Sequence, residues 1–389
     1  MNVLITNANS SKALTVTRSL GSKGIDVVSS DTNKYAISFF SKYTKNHFLT
    51  ASPKAEPDIY MKQILSFIQK KNIDVMMPIN SVDTLLTSKY KYKLEQYTKY
   101  PFEDYSKMVV INDKQKLIEL ADEIGLPVPK TYTMDNTKKI EGLAVELSYP
   151  VVIKLKNSTS SEGLSYAYSI EDFIDKYKNT IIKYNLDPID YPIVQQYISG
   201  DSYGASVLMN EGDLRAVFIH KRLREYPISG GPSTLRVSVK NKEMEKIAVK
   251  LLSHVKWHGL AMVEFKLDRE TNKPYIIEVN PRFWGSINQA VRSGVDFPYL
   301  LYQMAIDGDV ASVKDYQVGI KTRLFFNDCR AFLSYMKISN HKSQLAKDFF
   351  TFRQIHSDEF SKTDPLPGFM FFLKSKKGKY QLIKVKKNE

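Results

Sequence analysis

Ala261-Met262-Val263-Glu264-Phe265 and Tyr275-Ile276-Ile277-Glu278-Val279-Asn280-Pro281-Arg282 are the two runs on which the reading of this chain turns. Each is an apolar stretch rich in strand-forming residues and broken by a carboxylate. The polar segment between them, Asp268–Pro274, has the composition of a hairpin turn. Side chains alternate faces along a strand, so Glu278 and Asn280 lie on the same face. Solvated residues on an outer face are the plain alternative, but the apolar surroundings of each Glu speak against it. Paired, the runs project two carboxylates and an amide together. That is a hard, oxygen-rich set of the kind that holds Mg²⁺ against nucleotide phosphates.

Working upstream, Ile193-Val194-Gln195-Gln196-Tyr197-Ile198 reads as a strand leading into the turn Ser199-Gly200-Asp201. Before it, Pro150–Leu155 is a strand carrying Lys154, followed by the small-residue loop Asn157–Gly163, which contains Ser160 and Ser161. Asn112-Asp113-Lys114 opens a helix over Gln115–Ile124, with Asp113 as its cap and Gly125 as its stop. At the amino end, the strand Asn2–Thr6, a helix from Ala13 to Leu20 and a second strand at Ile25–Val28 begin a parallel α/β sheet. The helix Ile59–Lys71 and the strand Asp74–Pro78 continue it. The turn Asn7–Ser11 has no glycine, so a dinucleotide-binding fingerprint is absent. A connecting loop is the simpler reading there, and a small anion at the helix start the alternative.

The chain has 389 residues with 43% hydrophobic and 25% charged, which excludes wholesale disorder and fibrous rods and allows two or three domains. The surplus of 56 Lys+Arg over 42 Asp+Glu gives +14, which favours anionic partners or serves solubility. A lone cysteine, Cys329, rules out an internal disulfide and reads as a small hydrophobe rather than a nucleophile. The opening MNVLITNANSSKAL lacks the pattern of a signal peptide, and no apolar run approaches the ~20 residues of a membrane span. The expected compartment is the cytosol.

Taken in order, Asn112-Asp113-Lys114, Lys154 with its loop, Gln195–Ile198, Glu264 and the Glu-x-Asn-x-Arg run Glu278–Arg282 resemble the ATP-grasp superfamily. The resemblance implies a parallel α/β domain over 1–110, then an ATP-grasp fold of two α+β subdomains clasping ATP over 111–310. It places a lid at about 130–195 and leaves 311–389 as a carboxyl-terminal extension. It further implies Lys114 and Lys154 on nucleotide phosphates, and Ser160, Ser161 and Gly163 in the loop that covers them. Gln195, Gln196, Tyr197 and Ile198 would edge the adenine. Ser202 aligns with the usual ribose-binding Glu, and Asp201 is the neighbouring substitute. Glu264, Glu278 and Asn280 would hold Mg²⁺, or Mn²⁺ in its place, with Arg282 near the transferred phosphoryl group. Glu162 sits where a carboxylate would face phosphates and is expected to point outward.

The segment His220–Arg236 is dense in cations, with Gly230-Gly231 and two hydroxyls, and reads as a loop. The resemblance implies that this region borders the acceptor substrate, so Lys221, Arg236 and the Gly230–Ser233 backbone are expected substrate or phosphate contacts. His220 and His258 have no partner at metal-ligand spacing. Trp284 reads as local core. The implied activity is an ATP-dependent ligase that joins a small carboxylate to an amine through an acyl phosphate. The alternatives are a carboxylase or carbamoyl-phosphate-type enzyme using bicarbonate, and a non-catalytic nucleotide-binding regulator. No nucleic-acid partner is expected, and a homodimer is left open. Gly368–Leu373, followed by Lys374, Lys376, Lys377 and Lys379, suggests either peripheral contact with an anionic inner membrane face or a segment covering the core.

Overall fold

The computed structural model describes residues 1–158, 162–228, 230–338, 342–350 and 355–373. Ser160, Ser161 and the four lysines after Leu373 lie outside the described residues.

The amino-terminal sheet contains β1 (Asn2–Ile5), β2 (Asp26–Asp31), β3 (Thr44–Leu49) and β4 (Val75–Met77) in the order β3-β2-β1-β4. All its pairings are parallel. Val3, Leu4 and Ile5 are wholly buried, as expected of a strand covered on both faces. The helix Ser11–Gly21 starts at Ser10, whose side chain accepts a hydrogen bond from the Ala13 N–H.

A second sheet has β5 (Thr131–Tyr132), β6 (Val151–Lys154), β7 (Ser165–Ala167) and β8 (Ile193–Gln196) in the order β5-β8-β6-β7. With the helices Ile140–Glu146 and Ile170–Tyr184 it encloses its own core around Ile140, Ile153, Phe173 and Tyr177. This core is separate from the larger one that spans the amino-terminal and central sheets.

The central sheet is built from β9 (Gly200–Asn210), β10 (Asp213–Glu225), β11 (Ser233–Val239), β12 (Gly259–Asp268), β13 (Pro274–Asn280), β14 (Lys321–Arg323) and β15 (Ile355–Ser357). Their order is β13-β12-β9-β10-β11-β14-β15. The hairpin of β12 and β13 is antiparallel and sets Glu264 directly opposite Glu278.

One expectation needs correction. His220–Arg236 is not a loop: it is the end of β10, a short turn and the start of β11. Hydrophobicity hides these strands because a bulge between Arg222 and Arg224 interrupts the alternation, leaving Leu223 exposed and Arg224 buried. The carboxyl-terminal extension expected over 311–389 is, in its described residues, built into the central sheet. Its strands β14 and β15 extend the central sheet, and buried ion pairs tie it down. Arg224 makes a two-pronged contact with Asp328 at 2.8 and 2.7 Å, and Arg236 pairs with Asp358. Arg18, on the first helix, meets Asp364 at 2.9 Å, and Asp364 also accepts from Ser41 Oγ at 2.8 Å. Residues 366–373 are helical, with Phe326 and Phe372 ring centroids 6.2 Å apart. Asp358, Glu359 and Asp364 thus fasten this segment to the first helix. No described helix is long and apolar enough to cross a membrane.

Candidate active site

The second sheet, the central sheet and the first helix meet at one cleft. Its walls include Lys12, Lys114, Lys154, Gln195–Ile198, Ser202, His220, Arg222, Glu264, Lys266, Glu278, Asn280 and Arg282.

At its centre, Asn280 Nδ2 donates to Glu264 Oε1 at 3.0 Å and to Glu278 Oε1 at 3.4 Å. The two carboxylates therefore converge on one point from adjacent strands. Each has a cation of its own. Arg222 pairs with Glu264, and Lys114 Nζ is 3.5 Å from Glu278 Oε2. Burial works to raise Glu278, but Lys114, Lys154, Arg222 and Arg282 outweigh it and hold the carboxyl below its ordinary range. Glu264 moves the other way, pushed up by burial despite Arg222, with Glu278 adding to the push. Two crowded carboxylates split in this way because the charge of each opposes ionisation of the other, and the cations lie mostly around Glu278. The carboxylate oxygens fit a hard divalent ion such as Mg²⁺, and the Asn280 oxygen, here turned to Arg282, would join them only with the amide turned over.

Arg282 leaves β13 and turns across the cleft. Its Nη2 donates to Asn280 Oδ1 at 2.6 Å and its Nε to Ser81 Oγ at 2.5 Å. Ser81 opens the helix Ser81–Lys89 of the amino-terminal domain, whose cap Asn80 and first-turn Asp83 form a capping box. The guanidinium thus bridges the carboxylate cluster and the amino-terminal domain.

On the lid side, Lys154 at the end of β6 donates to Gln195 Oε1 at 2.7 Å, and Gln195 Nε2 donates to Thr131 Oγ1 at 3.0 Å. Burial pushes the Lys154 ammonium down to about 8, against the pull of Glu278. Lys114 Nζ donates to the Ser158 carbonyl at 3.1 Å, and Asn157 Nδ2 to Asp113 at 3.1 Å. These bonds moor the small-residue loop to the helix Lys114–Glu123. Gly163 has φ +67, and a Cβ there would strike Leu155, so glycine is needed at that turn. Glu162 is exposed and borders the cleft, so it is not turned wholly away from it as expected.

Three residues read from sequence as substrate or ribose contacts are placed elsewhere. Lys221 points away from the cleft and pairs with Asp201 at 2.6 Å, because β10 and β9 alternate and put His220, Arg222 and Ser202 inside instead. Asp201 is therefore off the cleft wall, whereas Ser202 is on it. Arg236 is 1% exposed and bound to Thr322 Oγ1 at 2.8 Å, to the Ser233 carbonyl at 3.3 Å and to Asp358. It anchors the carboxyl-terminal segment. Of the turn, Gly230, Gly231, Pro232 and Ser233 do border the cleft.

Sequence reasoning passed over Lys12, His220, Arg222, Glu225 and Lys266, all on the cleft wall. His220 is held neutral, its basicity pushed well down by burial and by Arg222, and its Nε2 lies 3.2 Å from Ser286 Oγ. Cys329 is no activated thiol, since burial and then Asp328 push it up. Trp284 packs edge-on against Phe297 at 5.0 Å, as core, while also bordering the cleft.

A family profile described as an ATP-grasp domain matches residues 111–286. These residues are an ATP-grasp domain. The chain is 24% identical over 216 residues to a D-alanine–D-alanine ligase of Pelotomaculum thermopropionicum, covering 49% of this chain and 66% of that one. It is 23% identical over 223 residues to a carbamoyl-phosphate synthase of Methanobrevibacter smithii, covering 54% and 58%. The matched stretch therefore spans less than two thirds of either relative. Among solved structures, the biotin carboxylase domain of the Hydrogenobacter thermophilus 2-oxoglutarate carboxylase, in complex with MgADP and bicarbonate, superposes with a TM-score of 0.67 at 16% identity. That likeness covers 82% of this chain and 73% of that one. The ATP-grasp fold accounts for the two-sheet clasp around the cleft and for the parallel sheet before it.

Proposed function

We propose that this chain is an ATP-dependent ligase that activates a small carboxylic acid as its acyl phosphate and passes the acyl group to an amine. The observation that carries the reading is the convergence of Glu264, Glu278 and Asn280, with Arg282 attached, in the cleft that also holds Lys114 and Lys154. Lys114 and Lys154 receive the phosphates as point charges. Gln195–Ile198 edge the base, and Ser202 lies by the sugar. Glu264, Glu278 and, with its amide turned over, Asn280 would hold Mg²⁺, or Mn²⁺, which would supply charge neutralisation to the phosphates. Arg282 faces the acid. An oxygen of the substrate carboxylate attacks the γ-phosphorus and ADP leaves. The amine nitrogen then attacks the acyl carbon, phosphate departs, and the amine gives up a proton. No side-chain nucleophile is needed, and closure of the lid keeps water from the acyl phosphate.

The bicarbonate-dependent reading is supported by the likeness to the carboxylase fold and by the carbamoyl-phosphate synthase relative. ADP release screened over acid and amine pairs separates the readings. Stimulation by an acid supports the ligase. Stimulation by bicarbonate alone supports the alternative, and silence throughout supports a regulator. For the carboxyl-terminal segment, the contacts of Asp364 favour a covering role over membrane contact.

The low Lys154 value gives a pH dependence. Phosphates bind the protonated form, so ATP association takes up a proton where the free protein has lost it. ATP affinity is expected to fall as pH rises through about 8. Lys154→Met should weaken ATP binding roughly 10-fold or more at pH 7 and flatten that slope, with little change in thermal midpoint. Equal calorimetric affinities in the two proteins would show that Lys154 does not touch the phosphates.

A further inference from the structure

Lys12 is a cation that the mechanism above does not use. It lies in the first turn of the helix Ser11–Gly21 and borders the cleft. Among the described residues its Nζ has one hydrogen bond, to the Ile79 carbonyl at 3.3 Å, and no ion pair. Burial, together with the charge of Arg282, weighs against its ammonium form. A desolvated cation beside a second cation is unfavourable unless something anionic joins them.

Asp83 is the one carboxylate whose charge favours the Lys12 ammonium, but it makes no ion pair with it among the described residues, and it and Asp31 are already engaged. Asp83 accepts from Thr6 Oγ1 and from the Ile79 and Asn80 N–H groups at 3.3 and 3.0 Å. Asp31 accepts from the N–H groups of Asn9 and Asn33 at 2.9 and 2.8 Å.

The place itself is where a parallel sheet opens to a ligand. With the order β3-β2-β1-β4, the chain leaves β1 towards β2 on one side and returns to β4 on the other. The crevice beyond the carboxyl ends of β1 and β4 is therefore the switch point of the sheet. Helices Ser11–Gly21 and Ser81–Lys89 both start there, adding the positive ends of their dipoles. The Trp284 indole N–H is a further donor bordering the same cleft, buried and without a hydrogen-bond partner among the described residues. Arg282 separates this crevice from the carboxylate cluster, since it reaches Asn280 with one nitrogen and Ser81 with another.

We propose that this switch-point crevice, with Lys12 as its specificity-determining residue, binds a second anionic group on the acid substrate, which is therefore a dicarboxylic or phosphorylated acid. The inference rests on the ligase reading. The reacting carboxylate lies on the cluster side of Arg282, and the second anion lies on the Lys12 side.

The test uses the full-length protein with Mg²⁺ and a non-hydrolysable ATP analogue. Calorimetry compares glutarate with valerate, and 3-phosphoglycerate with glycerate, so that a carboxylate and a phosphate are tried as the second anion. At least one dianion is expected to bind about 10- to 100-fold more tightly than its mate. Lys12→Met should reduce that ratio below about threefold, and Lys12→Arg should retain it. Equal binding within both pairs, no binding of any acid, or an unchanged ratio in Lys12→Met overturns the proposal. Adding ATP and hydroxylamine, which traps an acyl phosphate as the hydroxamate, separates the two claims. A dianion preference without hydroxamate overturns the ligase reading alone. Hydroxamate from acids that show no such preference overturns the Lys12 site alone.

Discussion

Glu278→Ala is expected to lower kcat by about 10³-fold or more while the protein stays folded. The carboxylate lies directly opposite Glu264, shares the Asn280 amide with it, and is held ionised by a ring of cations. Removing it takes away one of two anionic arms at the proposed metal site. It also leaves Lys114, Lys154 and Arg282 facing each other with less to neutralise them. The lost transition-state stabilisation is several kcal/mol, and about 1.4 kcal/mol is a factor of ten in rate. The fold should survive because Glu278 borders an open cleft rather than a sealed core. Steady-state rates at limiting and saturating Mg²⁺ check this. A variant that keeps near-normal turnover at limiting Mg²⁺ would remove Glu278 from the metal site.

The second large effect falls on stability rather than rate. Arg236→Met should strand Asp358, which is fully buried and whose remaining side-chain partner is Asn288 Nδ2 at 3.0 Å. Leaving a buried charge unpaired costs about 3–5 kcal/mol. A drop in thermal midpoint of roughly 4–6 °C is expected, with the carboxyl-terminal segment becoming sensitive to protease. The double variant Arg236→Met, Asp358→Leu should recover most of the loss, because an apolar pair can replace a buried ion pair at little cost. Ending the chain at Thr363 should be destabilising for a related reason, since it removes the Asp364 carboxylate that Arg18, Ser41 and the Lys42 N–H all use. If Arg236 touches substrate instead, its variant will keep the midpoint and raise KM.

The parts of the site legible in sequence are those where chemistry and periodicity agree. Glu264 and Glu278 stand out because each is a charge in an apolar strand, and two-residue alternation is enough to put Asn280 beside Glu278. Lys154 is similar, a cation ending a buried strand. The His220–Arg224 stretch was illegible because its polar run has no hydrophobic phase from which to read a face, and the bulge shifts that face midway. Hence the sequence favours Lys221, while the fold turns Arg222 inward. Arg236 misleads for a different reason. Its partner Asp358 is 122 residues away, and nothing local marks a cation as buried. Lys12 stayed hidden because its turn has no glycine motif, and its place in the cleft follows from strand order, which no local pattern encodes.

The central claim is that a substrate carboxylate oxygen attacks the γ-phosphorus. Transfer of ¹⁸O from a labelled acid to inorganic phosphate tests this most directly. The acid that stimulates ADP release is supplied with both carboxylate oxygens labelled, together with ATP, Mg²⁺ and an amine, and the phosphate is analysed by mass. The proposed chemistry requires one labelled oxygen in each phosphate released, with the other kept in the amide. Unlabelled phosphate, or phosphate released at the same rate with bicarbonate and no acid, contradicts it.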